Sequence, residues 1–254
     1  MNARDQFGRQ ASYYATSSVH ASGADGVVEL LGPLSDAVAL DVGTGAGHTA
    51  HALARRARHV LASDITPEML TETRRLAAGM GLANLQPIFS LAEDLPYADA
   101  SLDIVTCRLA AHHFRDVSAF CREVARVLKP GGRALVQDTI SPEDDLVRDF
   151  INDVEARRDP SHVDDYKAST WRRLLEEAGL EVLDLQTVAG DSSHELYEWT
   201  ERAATPAADV AYIRERFAAA PPAVAASLRL ERDGDTFRWS WHIATILLQR
   251  PPTT

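Results

Sequence analysis

From Ala37 to about Gln137 the hydrophobic and polar positions alternate between short apolar runs and longer helical spacings. Residues 38–42 form an apolar run that closes on an acid and glycines, the pattern of a strand buried on both faces. Residues 48–58 keep Ala and Leu on one helical face, and residues 60–63 read as a second strand ended by Asp64. Thr66-Pro67 supplies an N-cap and a Pro at the first helical position, so a helix is predicted to about Met80. Residues 85–89 and 104–107 read as strands three and four, and 133–137 as strand five. Between the last two, residues 116–128 form an amphipathic helix stopped by Lys129-Pro130-Gly131-Gly132. Strands separated by helix-length segments predict parallel βαβ units with right-handed crossovers.

After Asp138 the rhythm loosens. A helix is predicted from Ser141-Pro142 through Val154, broken at Arg157-Arg158-Asp159-Pro160, and another is capped by Ser169 and ends at Gly179. Residues 181–188 read as a strand and 192–220 as mostly helix interrupted at Pro206. Residues 237–248 read as one long final strand, along which Phe237, Trp239 and Trp241 alternate as packing residues. Ahead of the first strand lie Phe7-Gly8, Tyr13-Tyr14 and a short helix at 25–31. With no repeat or linker, residues 1–254 are expected to form one domain, with helical insertions at 141–170 and 191–235.

Composition narrows the partners. A chain of 254 residues, 45% hydrophobic, can bury one large core. Its net charge of −11, with no run of Lys or Arg, argues against nucleic acid and against anionic membrane surfaces. Cys107 and Cys121 are too few for a disulfide framework and lack the paired spacing of a zinc site, so no metal is expected. The polar N-terminus has no apolar signal core, and no stretch approaches the roughly 18 apolar residues of a membrane span. The expectation is a cytoplasmic monomer or homodimer acting on a small molecule.

The densest chemical signal is Asp41-Val42-Gly43-Thr44-Gly45-Ala46-Gly47, placed where a strand turns into a helix. Glycines there allow a tight turn and bring backbone amides up to a ligand. Asp41 either accepts hydrogen bonds from an ammonium group or orients the loop. Asp64, at the tip of the next strand, is where a carboxylate reaches a ribose diol. Taken alone, the loop leaves two other readings open. One is a strand–turn–helix whose glycines serve only the turn. The other is an NAD(P)-dependent oxidoreductase, because Gly45-Ala46-Gly47-His48-Thr49-Ala50 fits G-x-G-x-x-A. No Tyr-x-x-x-Lys pair supports the oxidoreductase.

The Asp41–Gly47 loop, Ala62-Ser63-Asp64-Ile65, and Ala92-Glu93-Asp94-Leu95-Pro96-Tyr97 followed by Ser101-Leu102-Asp103-Ile104-Val105 come in order along the chain. Leu109 to Phe114 with Asp116, and then Arg126-Val127-Leu128-Lys129-Pro130-Gly131-Gly132, complete the series. Over about residues 7 to 190 the chain thereby resembles the class I S-adenosylmethionine-dependent methyltransferases. Its nearest likeness is the type 11 branch that includes ubiquinone and menaquinone biosynthesis enzymes. The resemblance implies an α/β fold: a Rossmann-like seven-stranded mostly parallel sheet with helices on both faces and helical cap insertions. It implies S-adenosyl-L-methionine as cofactor, held by Tyr14, His20, Asp41, Gly43, Thr44, Gly45, Gly47, Asp64, Ile65, Ala92, Glu93 and Arg108. Residues 1–35, with Phe7 and Ala11, would close over it. Where such enzymes often carry an Asp for the adenine amino group, this chain has Leu91, which leaves the Ala92 amide or Glu93 to compensate.

Methyl transfer is an in-line displacement in which alignment supplies much of the catalysis. A nucleophile that arrives protonated also needs a base, and His112 and His113 follow strand four on the ligand edge of the sheet. One of them as base predicts a rising limb near pH 6–7; the alternative for each is packing or helix capping. Asp138 ends strand five at the same rim, and Cys107 reads as core. Residues 157–171, carrying His162, Tyr166 and Trp171, are a candidate lid, as are the segments of Trp199 and Phe217. A cofactor-retaining enzyme that catalyses a non-methyl reaction remains the alternative, because such motifs record binding rather than transfer.

Overall fold

The computed structural model describes residues 3–16, 22–189 and 194–253. Seven strands form the main sheet: β1 (Val38–Val42), β2 (His59–Asp64), β3 (Leu85–Phe89), β4 (Leu102–Arg108), β5 (Leu128–Ile140), β6 (Glu181–Ala189) and β10 (His242–Gln249). Their order is β3-β2-β1-β4-β5-β10-β6, with β10 antiparallel to both neighbours and the other pairings parallel. The sheet changes winding direction between β1 and β4, so a crevice opens beyond their C-terminal ends.

Both faces are covered. Helices α2 (Ala24–Glu29) and α3 (His48–Ala54) pack on one face around Ala39, Val60, Ile104 and Leu135. Helices α5 (Val117–Val127) and α7 (Ala168–Glu177) pack on the other around Leu40, Val105, Val136 and Ile246, with Cys107 and Cys121 buried as free thiols. Helix α4 (Pro67–Gly79) starts at Pro67 behind Thr66, and helix α1 (Ala3–Thr16) lies on it through Ala11, Ala15 and Met69.

A second hydrophobic cluster joins α6 (Asp145–Arg158), α8 (Leu196–Arg202), α9 (Ala207–Ala218) and α10 (Pro222–Leu228). Its aromatic centre is Trp199, Phe217, Phe237, Trp239 and Trp241, with the Trp199 and Trp239 rings meeting edge-on at 4.9 Å.

Here the predicted final strand is corrected. Residues 236–239 form β9 in a small antiparallel sheet with β7 (His194–Glu195) and β8 (Glu231–Asp233), and β10 begins only at His242. The inward positions move from 237, 239 and 241 to 244, 246 and 248, so the two segments serve different cores and the chain must break between them.

Three boundaries also shift. Helix α6 begins at Asp145 because Asp144, not Ser141, caps it by accepting from the amides of Leu146 and Val147. Helix α7 begins at Ala168, and the Ser169 hydroxyl donates to Glu143 instead of capping. Strand β5 runs well beyond 133–137 because β10 pairs with it from Arg133 to Ile140.

Candidate functional site

The three glycines of the β1–α3 loop all have positive φ, yet they serve two purposes. A Cβ on Gly43 would lie 2.6 Å from the Ala110 Cβ, and one on Gly47 would lie 2.7 Å from Thr73 Cγ2 and 2.8 Å from the His51 ring. Those two are glycines because neighbouring elements press against them. A Cβ on Gly45 would meet nothing within 4 Å, so this position faces open space. Packing does not explain it; its φ of +54° does, in the left-handed region that favours glycine.

Asp41 ties the loop to β4. It is buried; its Oδ2 accepts from the Thr44 hydroxyl at 2.7 Å and its Oδ1 from the Thr106 hydroxyl at 2.6 Å. Burial pushes its carboxyl up to about 6 against the pull of those hydroxyls. Neither Asp41 nor Gly47 is among the residues that line the cavity described next. Asp64 does line it. Its Oδ2 accepts from the Gly45 amide at 2.9 Å and its Oδ1 from the Thr66 amide at 2.8 Å. Burial pushes its carboxyl up, while hydrogen bonds from the Gly45, Thr66 and Ile65 backbone and the Thr66 side chain pull it down.

A cavity of about 760 Å³ lies above these strand tips. Gly43, Thr44, Gly45, Asp64, Ile65, Ala92, Glu93 and Arg108 line it from the sheet side, and Arg4, Phe7 and Tyr14 of α1 line it from above. Phe89 and Leu91, both about half exposed, give the rim beside Ala92 an apolar face. Glu93 accepts from the Arg115 amide at 2.9 Å, which ties its carboxylate to the loop before α5. Arg108 donates to Gln137 Oε1 and to the Ser22 carbonyl. His20 lies outside the described residues.

At the other end, a 3₁₀ turn (Ala111–His113) carries both histidines. His112 does not line the cavity. Its amide and its Nδ1 both bind the Asp138 carboxylate, at 2.9 and 2.7 Å. Burial alone would lower its pKa, but Asp138, with Asp165 and Glu155 beyond, pushes the imidazole up to about 9. His113 does line the cavity, packed edge-on against Phe7 at 4.8 Å. Burial and the neighbouring His112 push it down to about 3. The two imidazoles are thus pushed in opposite directions, His112 up and His113 down.

The segment from Asp159 to Tyr166 is where sequence reasoning was thinnest. Pro160, Ser161, His162 and Val163 line the cavity, and the Val163 amide donates to the His112 carbonyl at 2.8 Å. Asp165 accepts from Thr139 at 2.6 Å, and Arg148 pairs with Asp164 at 2.7 Å. His162 and Tyr166 stood out in advance, as lid aromatics. The available signal was a polar Asp-Pro-Ser-His run straight after a helix break. Trp171 and Tyr166 pack into the core beneath α7 instead of lining the cavity.

Among the described residues, no group of three or more His, Cys, Asp or Glu is arranged to hold a metal ion, and no helix is long and apolar enough to cross a membrane.

Residues 40–136 match a family model described as a methyltransferase domain. The uncharacterized methyltransferase YcgJ of Bacillus subtilis is 36% identical over 209 residues, covering 82% of each chain. Its crystal structure superposes with a TM-score of 0.84 over 91% of this chain and 99% of that one, at 29% identity. The uncharacterized protein YafE of Escherichia coli is 37% identical over 74% of this chain and 90% of its own. The [4+2]-cyclase SpnF shares the fold, with a TM-score of 0.63 over 92% of this chain and 82% of that one, at 21% identity.

Proposed function

This chain belongs to the S-adenosylmethionine-dependent methyltransferases, and on that premise we propose that it transfers a methyl group to a small organic molecule bound in the same cavity as the cofactor. The observation that carries the proposal is the continuity of that cavity, from Gly45 and Asp64 at one end to His113 and His162 at the other. About 760 Å³ lies in the upper part of the range of small-molecule sites, which suits two small ligands side by side.

The residues fit S-adenosyl-L-methionine. Gly45 leaves its side-chain position open, the Asp64 carboxylate at the cavity wall suits a ribose diol, and Phe89, Ile65 and Leu91 suit a flat ring. The amide of Ala92 stands at that rim where an Asp side chain is missing. Arg108 and Thr44 lie on the path to the methionine end, and Tyr14 and Phe7 of α1 shield the cavity from water. When bound, the cofactor supplies an electrophilic methyl on a sulfonium.

The chain's own contribution is alignment at the His113 end. His113 holds the nucleophile's O–H or N–H. Methylation of a neutral hydroxyl or amine would leave positive charge on that atom. Its proton then becomes acidic enough to pass to an imidazole with a depressed pKa, and from there to water. His112, charged and locked on Asp138, holds the turn that places His113.

Incubating the protein with methyl-labelled S-adenosylmethionine and a panel of small hydroxyl and amine compounds tests the reading. Label in an organic product with matching S-adenosylhomocysteine supports it. Tight S-adenosylhomocysteine binding with no transfer, but chemical change in a panel compound, would replace it with a non-methyl reaction.

A further inference from the structure

At the rim formed by Phe89 and Leu91 the chain lacks a polar group that related enzymes often carry. Leu91 stands where an acid would accept from the adenine amino group, and both it and Phe89 are about half exposed. The carboxylates that line the cavity are engaged elsewhere. Asp64 accepts from the Gly45 and Thr66 amides, Glu93 from the Arg115 amide, and Asp116 from the Ser118 hydroxyl and the Ala119 amide.

Arg4 lines the same cavity from the first turn of α1, and its guanidinium carbon lies 5.8 Å from the centroid of the Phe89 ring. About 6 Å is the outer limit of a cation–π contact, so Phe89 alone uses little of that charge. Arg4 is exposed, and among the described residues it forms no ion pair with the carboxylates of the cavity. Nor does the anchoring of α1 need it. The helix is held by Ala11 and Ala15 against Met69, by Gln6 donating to the Ala203 carbonyl at 2.7 Å, and by the Tyr14 carbonyl 2.9 Å from His48 Nε2. A long cationic side chain that packing does not use thus leans over an exposed ring at the cavity wall.

We infer that Arg4 holds the base of the cofactor: its guanidinium closes from α1 over an adenine seated against Phe89 and Leu91, so that this chain grips the aromatic ring where an acid would grip the amino group. This rests on the reading of the Gly45–Asp64 end as the cofactor end. A guanidinium is planar and weakly hydrated, so it leaves water for an aromatic face at small cost. A purine offers that face whether or not its amino group has a partner.

Calorimetry with two ligands tests the assignment: S-adenosylhomocysteine, and 5′-methylthioadenosine, which keeps the base and ribose and lacks the amino-acid end. Arg4→Ala and Arg4→Gln are each expected to weaken both ligands by about 3- to 20-fold, the span from an exposed to a desolvated cation–π contact. Arg9→Ala removes the same charge from an exposed position of the same helix outside the cavity wall, and is expected to leave both affinities unchanged.

Unchanged affinity in both Arg4 variants overturns the inference. So does a loss confined to S-adenosylhomocysteine, which would place Arg4 at the amino-acid end. An equal loss in Arg9→Ala overturns it too, because the effect would then be one of overall charge. A wild type that binds neither ligand removes the cofactor reading itself, whereas binding that ignores Arg4 removes only the role of Arg4.

Discussion

The cavity's two ends are built from different materials. At the end beneath Gly45 and Asp64 the ligand surface is the glycine loop, held by bonds close in the chain, Asp41 to Thr44 and Asp64 to Thr66, as well as by bonds across elements, Asp41 to Thr106 and Asp64 to Gly45. At the end beneath His113 it is side chains, and nearly every hydrogen bond that holds them spans a long stretch of sequence. His112 reaches Asp138, His113 reaches Ser161, and Thr139 reaches Asp165. A backbone cradle recognises what all members of a family share, whereas a side-chain network between sheet and α6 can be rewritten without disturbing the sheet. The contrast predicts that cofactor affinity and substrate chemistry separate cleanly by mutation.

The largest effect is expected where the far network is cut. Asp138→Ala strands a buried imidazole and should destabilise the fold by about 3–5 kcal/mol, read as a fall in melting temperature. The pH dependence has a definite sign. The His112 pKa is raised in the folded state, so the pair's stabilisation is fully present below about 6.5. It is lost as pH rises through about 9. Melting curves between those values should show the wild type's margin over Asp138→Asn shrinking. A margin that grows would mean the pair is not an ion pair.

Next comes His113→Ala, expected to lower turnover by ~10²-fold through lost alignment, with S-adenosylhomocysteine affinity unchanged. The pH–rate profile of the wild type should lack a limb at 6–7; a limb that vanishes in this variant would restore an ordinary imidazole base. At the near end, Asp64→Ala should weaken S-adenosylhomocysteine by about 1.5–3 kcal/mol, the usual loss for a charged hydrogen bond, and leave the His113 end untouched. Unchanged affinity would remove Asp64 from the ribose. The smallest effect is expected from Leu91→Asp, which gives the exposed rim an acceptor and should tighten binding by no more than about 0.5–1.5 kcal/mol.

The same division decided what could be read from the sequence. The strand–loop–helix around Asp41–Gly47 is local, so its turn chemistry shows in consecutive residues, and the parallel strands show as short apolar runs. The long final strand was misread because Phe237, Trp239 and Trp241 alternate as a strand should. The break shows only in the parity change to Ala244, Ile246 and Leu248. The site histidines were found by their place after β4, but not their opposite protonation. Burial beside Asp138 and Ser161 sets that, and neither lies within 20 residues of them along the chain. Asp159 and Ser161 carry no motif, and their place beside His113 follows from partners that only the fold brings together.

The most direct measurement is calorimetric titration of S-adenosylhomocysteine, with NADH in parallel, into wild type, His113→Ala and Gly45→Val. Gly45 has φ +54 and open space where a Cβ would stand, so a branched side chain would both strain the loop and fill the ligand's approach. The expected result is stoichiometric S-adenosylhomocysteine binding to wild type and His113→Ala, none to Gly45→Val, and no heat from NADH. Binding that survives in Gly45→Val, or that is lost in His113→Ala while the fold stays intact, would contradict it.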